Sequence, residues 1–108
     1  MIDWSHVAEL RSDMGEAFDE VVEVFLQEVE EGLDRLDPAG PAEDLAADLH
    51  FLKGAALNLG FREFAALCAQ SETQANNGEA AKVDLPAVRR SYENSRVAFI
   101  DGLPKLAA

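Results

Sequence analysis

Residues 49–61 read LHFLKGAALNLGF, and this stretch decides how the rest of the chain is interpreted. Leucine and alanine dominate it, which favours a helix. Apolar residues recur there and just upstream at three- and four-residue spacing: Leu45, Leu49, Leu52, Ala56 and Leu59. On a helical wheel they fall within about 80° of arc, so they predict one buried face. His50 and Gly54 lie beside that face, and we expect His50 to be at least partly exposed.

A helix with the same periodicity is predicted upstream. Its core stripe comprises Phe18, Val22, Phe25, Val29, Leu33 and Leu36. We expect this helix to begin at Asp13, because Glu16 follows at the spacing of a capping box, and to stop at the Asp-Pro-Ala-Gly turn of residues 37–40. The opposite face is acidic, and we interpret it as a solvated surface.

Three further helices are predicted around these two. Residues 2–11 form a short amphipathic segment, and another helix begins near Phe61 and ends at residues 76–78. The last helix starts after Asp84, a good N-cap, and Gly102 with Pro104 is expected to end it. The pattern predicts an all-α fold in which residues 1–108 form one domain. We expect an antiparallel up-down four-helix bundle with a short extra N-terminal helix, stable as a monomer.

Charge is distributed unevenly along the chain. The net charge is −12, and residues 1–48 carry 15 acidic and 2 basic side chains, against 6 and 7 in residues 49–108. An acidic protein lacks the basic face that nucleic acids need, and it is repelled by anionic membranes. We therefore expect neither nucleic acid nor membrane as a partner.

Cellular location is also an expectation from the sequence. Cys68 is the single cysteine, so no disulfide can form within the chain. The first ten residues, MIDWSHVAEL, lack the basic and apolar regions of a signal peptide, and no apolar run is long enough to span a bilayer. We expect a cytoplasmic protein.

The motifs of self-sufficient enzymes are missing. The sequence has no glycine-rich phosphate loop, no CxxC pair and no Glu-x-x-His pair of the kind that lines a metal-binding bundle. What remains is a histidine on a helix, with Lys53 one turn away and Gly54 beside that lysine.

An exposed, rigidly held histidine has a nucleophilic nitrogen that can accept and return a phosphoryl group. Such transfer depends on positioning and on charge neutralisation, which Lys53 can supply. Gly54 costs about 1 kcal/mol relative to alanine inside a helix. Its presence indicates close approach, either by a partner or by a neighbouring helix.

The run His50-Phe51-Leu52-Lys53-Gly54, followed by Asn58-Leu59-Gly60, closely resembles the signature of histidine-containing phosphotransfer (HPt) domains. The opening residues IDWSHVAEL and the helix over residues 18–36 also resemble those domains. The resemblance covers nearly the whole chain. It implies a helical bundle that carries phosphoryl groups in two-component phosphorelays, without ATP-dependent kinase activity of its own.

The resemblance also implies roles for individual residues. His50 would be phosphorylated, on Nε2, while its other nitrogen is held by a hydrogen bond. Glu72 matches the family position that makes this bond, although we would expect glutamine there, and a glutamate adds negative charge near the phosphate. The alternative for Glu72 is a solvated surface residue. Lys53 would offset phosphoryl charge.

The implied partners are receiver domains of response regulators, with a hybrid histidine kinase as a further candidate. The receiver would bring the aspartate and the Mg²⁺, so no cofactor is expected in this chain. Gly54 would give the partner clearance, Leu57 and Ala46 would form part of the docking surface, and Arg62 would meet an acidic rim.

Other classes of protein stay open at this point. A helical adaptor would keep the fold, and its histidine would have no chemical role. A detached phospho-accepting domain of a chemotaxis-type kinase would carry a similar motif. A metal-binding bundle is disfavoured by the missing ligand pairs.

Overall fold

The structure is a computed structural model that describes residues 1–107. The described residues form α-helices and two short 3₁₀ turns, at Gly15–Ala17 and Ala80–Lys82, with no β-strand. The helices are α1 (Trp4–Met14), α2 (Phe18–Arg35), α3 (Ala42–Leu59), α4 (Arg62–Asn76) and α5 (Leu85–Ala107). The all-helical class predicted from the sequence is confirmed.

The apolar stripe of α3 lies in the core, as predicted. Each of its members is at most 2% exposed: Leu45, Leu49, Leu52, Ala56 and Leu59. Burial of a leucine side chain is worth about 1.5–3 kcal/mol, so this stripe is a major source of stability. Helix α2 approaches α3 closely at Gly32, where an added Cβ would lie 2.8 Å from a methyl carbon of Leu52.

Most of the predicted α2 stripe is buried as well. Its buried members are Phe18, Val22, Val29, Leu33 and Leu36, while Phe25 is only partly buried. The acidic face is exposed, yet one of its carboxylates has a structural partner. Glu30 accepts a 2.7 Å hydrogen bond from the hydroxyl of Tyr92, whose ring is buried, and this bond ties α2 to α5.

The predicted boundary between the first two helices is wrong. Helix α1 continues to Met14, so Asp13 lies inside it and does not cap α2 through Glu16. Gly15 ends α1 with a φ of 56°, a left-handed value that glycine adopts without strain, and a 3₁₀ turn leads into Phe18. Sequence spacing alone favoured the capping box because it could not show that α1 continues through Asp13.

The turn between α3 and α4 is held by the start of the chain. Gly60 caps α3 with a φ of 75°, a left-handed value that suits glycine at the end of a helix. The amide of Asp3 donates to the Gly60 carbonyl at 2.8 Å, and Ile2 forms an isolated antiparallel bridge with Phe61. The N-terminal segment therefore fixes the end of the helix that carries His50.

Helix α5 begins where the sequence predicted, because a carboxylate oxygen of Asp84 accepts from the amide of Ala87 at 3.0 Å. Its predicted end at Gly102 and Pro104 is wrong, since the helix runs on to Ala107. Leu103 and Leu106 pack against the core in this last part, which offsets the poor helix propensity of proline. Gly102 serves packing instead, because an added Cβ would overlap the ring of Trp4.

Candidate functional site

Helix α3 presents His50 to solvent. Leu49, its neighbour in the chain, is fully buried, whereas the His50 side chain is 67% exposed. The buried stripe holds the helix rigidly, so the imidazole stands on a fixed support. This position beside the core agrees with the helical wheel.

Glu72 on α4 holds both His50 and Lys53. Its Oε2 lies 3.1 Å from Nδ1 of His50, and its Oε1 accepts a 3.0 Å hydrogen bond from the Lys53 ammonium. The Glu72 side chain is only 19% exposed, so it is not the freely solvated residue of the alternative interpretation. The contact that the resemblance implies is present.

The ionisation of Glu72 follows from these contacts. Partial burial raises the pKa of its carboxyl, but the hydrogen bonds from Lys53 and then His50 outweigh burial and leave the pKa below its ordinary value. The group is therefore a carboxylate at neutral pH. A carboxylate can only accept hydrogen bonds, so Nδ1 of His50 must be the donor.

This hydrogen bond determines which nitrogen of a neutral His50 carries the proton and which carries the free lone pair. A neutral imidazole carries one proton, and Glu72 holds that proton on Nδ1. The lone pair then resides on Nε2, the nitrogen that does not bond Glu72. The arrangement offers a nucleophilic nitrogen on an exposed side chain, with an ammonium group one helical turn away.

Gly54 faces open space on the surface of α3. Apart from the adjacent residues and backbone of α3, no heavy atom of the described residues lies within 4 Å of the position that its Cβ would occupy, and the residue is exposed. Close packing against a neighbouring helix, one of the two interpretations of this glycine, is therefore wrong. A shallow open groove of about 300 Å³ runs between α2 and α3, and its lining includes His50, Gly54, Phe51, Phe25 and Glu28.

Two exposed apolar side chains follow His50 on α3. Leu57, predicted on the docking surface, is 55% exposed, and Phe51 is 41% exposed. No role in docking was predicted for Phe51 from the sequence. The guanidinium of Arg35 lies 5.5 Å from the centre of the Phe51 ring and also pairs with Asp48 at 3.6 Å. Phe51 could have been recognised in the sequence as an aromatic residue that lies next to His50 and outside the core stripe.

Two residues predicted for partner docking lie differently from expectation. Ala46 is only 7% exposed, so its place on the docking surface is wrong. It shares the side of α3 that carries Lys53, whose ammonium reaches α4, and this side is covered by the neighbouring helix. Arg62 is exposed but pairs with Asp3 at 3.1 Å, and its contact with a partner stays a prediction.

Other kinds of site have no support in the described residues. No group of three or more His, Cys, Asp or Glu side chains in residues 1–107 is arranged to hold a metal ion. Burial raises the pKa of the Cys68 thiol to about 12, so this buried cysteine is a poor nucleophile. Over the same residues, the helices lack the combination of length and apolar character that crossing a membrane requires.

The site therefore consists of a histidine that is held in a fixed orientation at the surface of an all-helical fold. A family model described as Hpt domain matches residues 20–98, which is most of the chain. The protein belongs to the Hpt domain family. Members of this family are phosphocarriers of two-component signalling and interact with response regulators and kinases. Comparisons with curated proteins and with solved structures found no match.

Proposed function

We propose that this protein is a phosphorelay intermediate that accepts a phosphoryl group on Nε2 of His50 and exchanges it with the aspartate of receiver domains. One observation carries the proposal. His50 is exposed, and a carboxylate engages its Nδ1, which leaves the lone pair on Nε2 for an incoming phosphoryl group. Family membership supports this assignment, since Hpt domains carry phosphoryl groups.

In the transfer step, the Nε2 lone pair forms a bond to phosphorus while the bond between phosphorus and the receiver aspartate breaks. The electron pair of the broken bond stays on the aspartate oxygen. The receiver supplies the Mg²⁺ that neutralises charge in this step, as phosphoryl transfer requires. On the side of this chain, α3 holds the imidazole in position and Lys53 contributes positive charge.

The docking surface that we propose for the receiver surrounds His50 on α3. Gly54 leaves room for the partner backbone, and the exposed side chains of Leu57 and Phe51 offer apolar contact. The groove between α2 and α3 continues this surface. Contacts of this limited kind suit a transient complex, which a relay needs in order to release its partner.

The arrangement of the helices belongs to the same proposal. We propose that α2 to α5 run up and down as an antiparallel bundle with α1 as the extra N-terminal helix. The two-residue connection between α3 and α4 supports this arrangement. We also propose that the protein acts in the cytoplasm. We propose that it is a monomer, because its apolar stripes are already buried within one chain.

Phosphoryl uptake from pre-phosphorylated receiver domains with Mg²⁺ tests the function. Wild type should acquire an acid-labile, base-stable label, and His50→Gln should acquire none at unchanged helical content. The matched control is His6→Gln, which removes the other histidine of the chain and should still be labelled. Label on His50→Gln would overturn the assignment. No label on folded wild type from any donor would favour a helical adaptor.

A further inference from the structure

The charged groups around His50 come from three helices. Glu72 on α4 accepts from Nδ1 at 3.1 Å, and its second oxygen is held by Lys53 of α3 at 3.0 Å. Glu28 on α2 lines the same groove as His50. Among residues 1–107, Glu72 alone bonds the imidazole, so its hydrogen-bonding capacity decides what Nδ1 can do.

Both oxygens of Glu72 are committed to donors, and this constrains the proton on Nδ1. An ionised carboxylate has no hydrogen to donate. If Nδ1 lost its proton, its lone pair would point at a negative oxygen about 3 Å away, an arrangement without a hydrogen bond. A glutamine at position 72 would differ, because its amide can accept from a protonated Nδ1 or donate to an unprotonated one.

We propose that Glu72 is a positioning residue that keeps the Nδ1 proton on the ring of phosphorylated His50, so that the protein carries its phosphoryl group in a rapidly transferred, short-lived form. The inference rests on the function proposed above. It states which residue controls the lifetime of the phosphorylated histidine. A short lifetime suits a protein that passes its phosphoryl group on rapidly and does not retain it.

The bonds and charges balance as follows. Attack by Nε2 on phosphorus leaves Nδ1 protonated, so the phosphorylated ring carries one positive charge beside the Glu72 carboxylate. When the group leaves, the N–P bond breaks and its electron pair returns to Nε2, giving a neutral imidazole. The new P–O bond forms to the aspartate of a receiver, or to water, which releases a proton to solvent. Without the Nδ1 proton, the leaving group would be an imidazolide anion, which departs far more slowly.

The lifetime of the phosphorylated protein tests this inference. The protein is loaded with phosphoramidate, a small-molecule donor that bypasses the unknown receiver, and loss of label is followed between pH 6 and pH 9. For wild type we expect a loss rate that is nearly constant up to pH 8. For Glu72→Gln we expect the rate to fall as pH rises through the imidazole range, with a lifetime about tenfold longer at pH 8.

The matched control is Glu63→Gln, the same chemical change at an exposed position in the first turn of α4. It should behave as wild type. Equal lifetimes and equal pH profiles for wild type and Glu72→Gln would overturn the inference while label on His50 preserves the proposed function. Failure of folded wild type to take up any label on His50 would overturn both.

A second readout needs no substitution and covers the case in which Glu72→Gln does not fold. Nitrogen NMR of the phosphorylated wild-type imidazole reports whether Nδ1 bears a proton. A protonated Nδ1 at pH 8 supports the proposal, and an unprotonated one overturns it.

Discussion

Replacing Gly54 with alanine should stabilise the fold, even though the glycine lies beside the proposed reactive residue. Beyond the adjacent residues and backbone of α3, the added Cβ would meet no heavy atom of residues 1–107 within 4 Å, so it introduces no clash. Alanine is favoured over glycine inside a helix by about 0.5–1 kcal/mol. For a domain of this size, 1 kcal/mol shifts Tm by roughly 4–8 °C, so we expect Tm to rise by about 2–8 °C.

Thermal unfolding followed by far-ultraviolet circular dichroism measures this shift. Gly32→Ala is the matched control, since Gly32 also lies inside a helix, but its Cβ would stand 2.8 Å from Leu52 in the core. Overpacking of this kind costs about 1–3 kcal/mol, more than the gain in helix propensity, so Tm should fall. A lower Tm for Gly54→Ala would refute the assignment of open space around Gly54.

The same position tests partner docking. Gly54→Gln should slow phosphoryl transfer from a receiver domain, because a long side chain would occupy the space that the partner needs, while its Tm stays at or above that of wild type. A transfer rate equal to that of wild type would show that the opening at Gly54 is not used for docking.

Three further predictions follow from the contacts of the site and the core. Lys53→Ala should slow transfer by roughly 3- to 100-fold without abolishing it, because one charge about 6 Å from a phosphoryl group is worth about 0.7–3 kcal/mol; complete loss in a folded variant would contradict this. Gly102→Ala should lower Tm and change the fluorescence of Trp4, the only tryptophan, and an unchanged emission would contradict the packing described. Because the pKa of Glu72 is lowered in the fold, its contribution to stability is present at neutral pH and lost as pH falls through that lowered pKa. The Tm difference between wild type and Glu72→Gln should therefore shrink as the solution is acidified from neutral pH through that lowered pKa, and a constant difference would count against it.

The sequence predicted the features that depend on periodicity within one helix. The α3 stripe from Leu45 to Leu59 is buried as expected, and His50 is exposed beside it. The pairing of His50 with Glu72 came from the resemblance to HPt domains and not from periodicity, and the two side chains do lie in contact.

Features that depend on contacts between distant parts of the chain were not predictable in this way. The end of α5 was placed too early because the sequence cannot show that Trp4 fills the space at Gly102. Ala46 appeared to lie on the exposed side of α3, since a helical wheel does not say which flank the next helix covers. Gly54 had two interpretations until the space around it was known.

The bond between Asp3 and Gly60 bears on the order in which the protein folds. It joins residues separated by about half of the chain, so forming it closes a long loop at a large cost in chain entropy. Contacts across the two-residue connection of α3 and α4 close a much smaller loop. We expect the α3–α4 pair to form early and the N-terminal segment to dock last. Weakening the contacts of Asp3 should then accelerate unfolding while leaving the folding rate nearly unchanged, so the first residues act as a kinetic latch on the helix that carries His50.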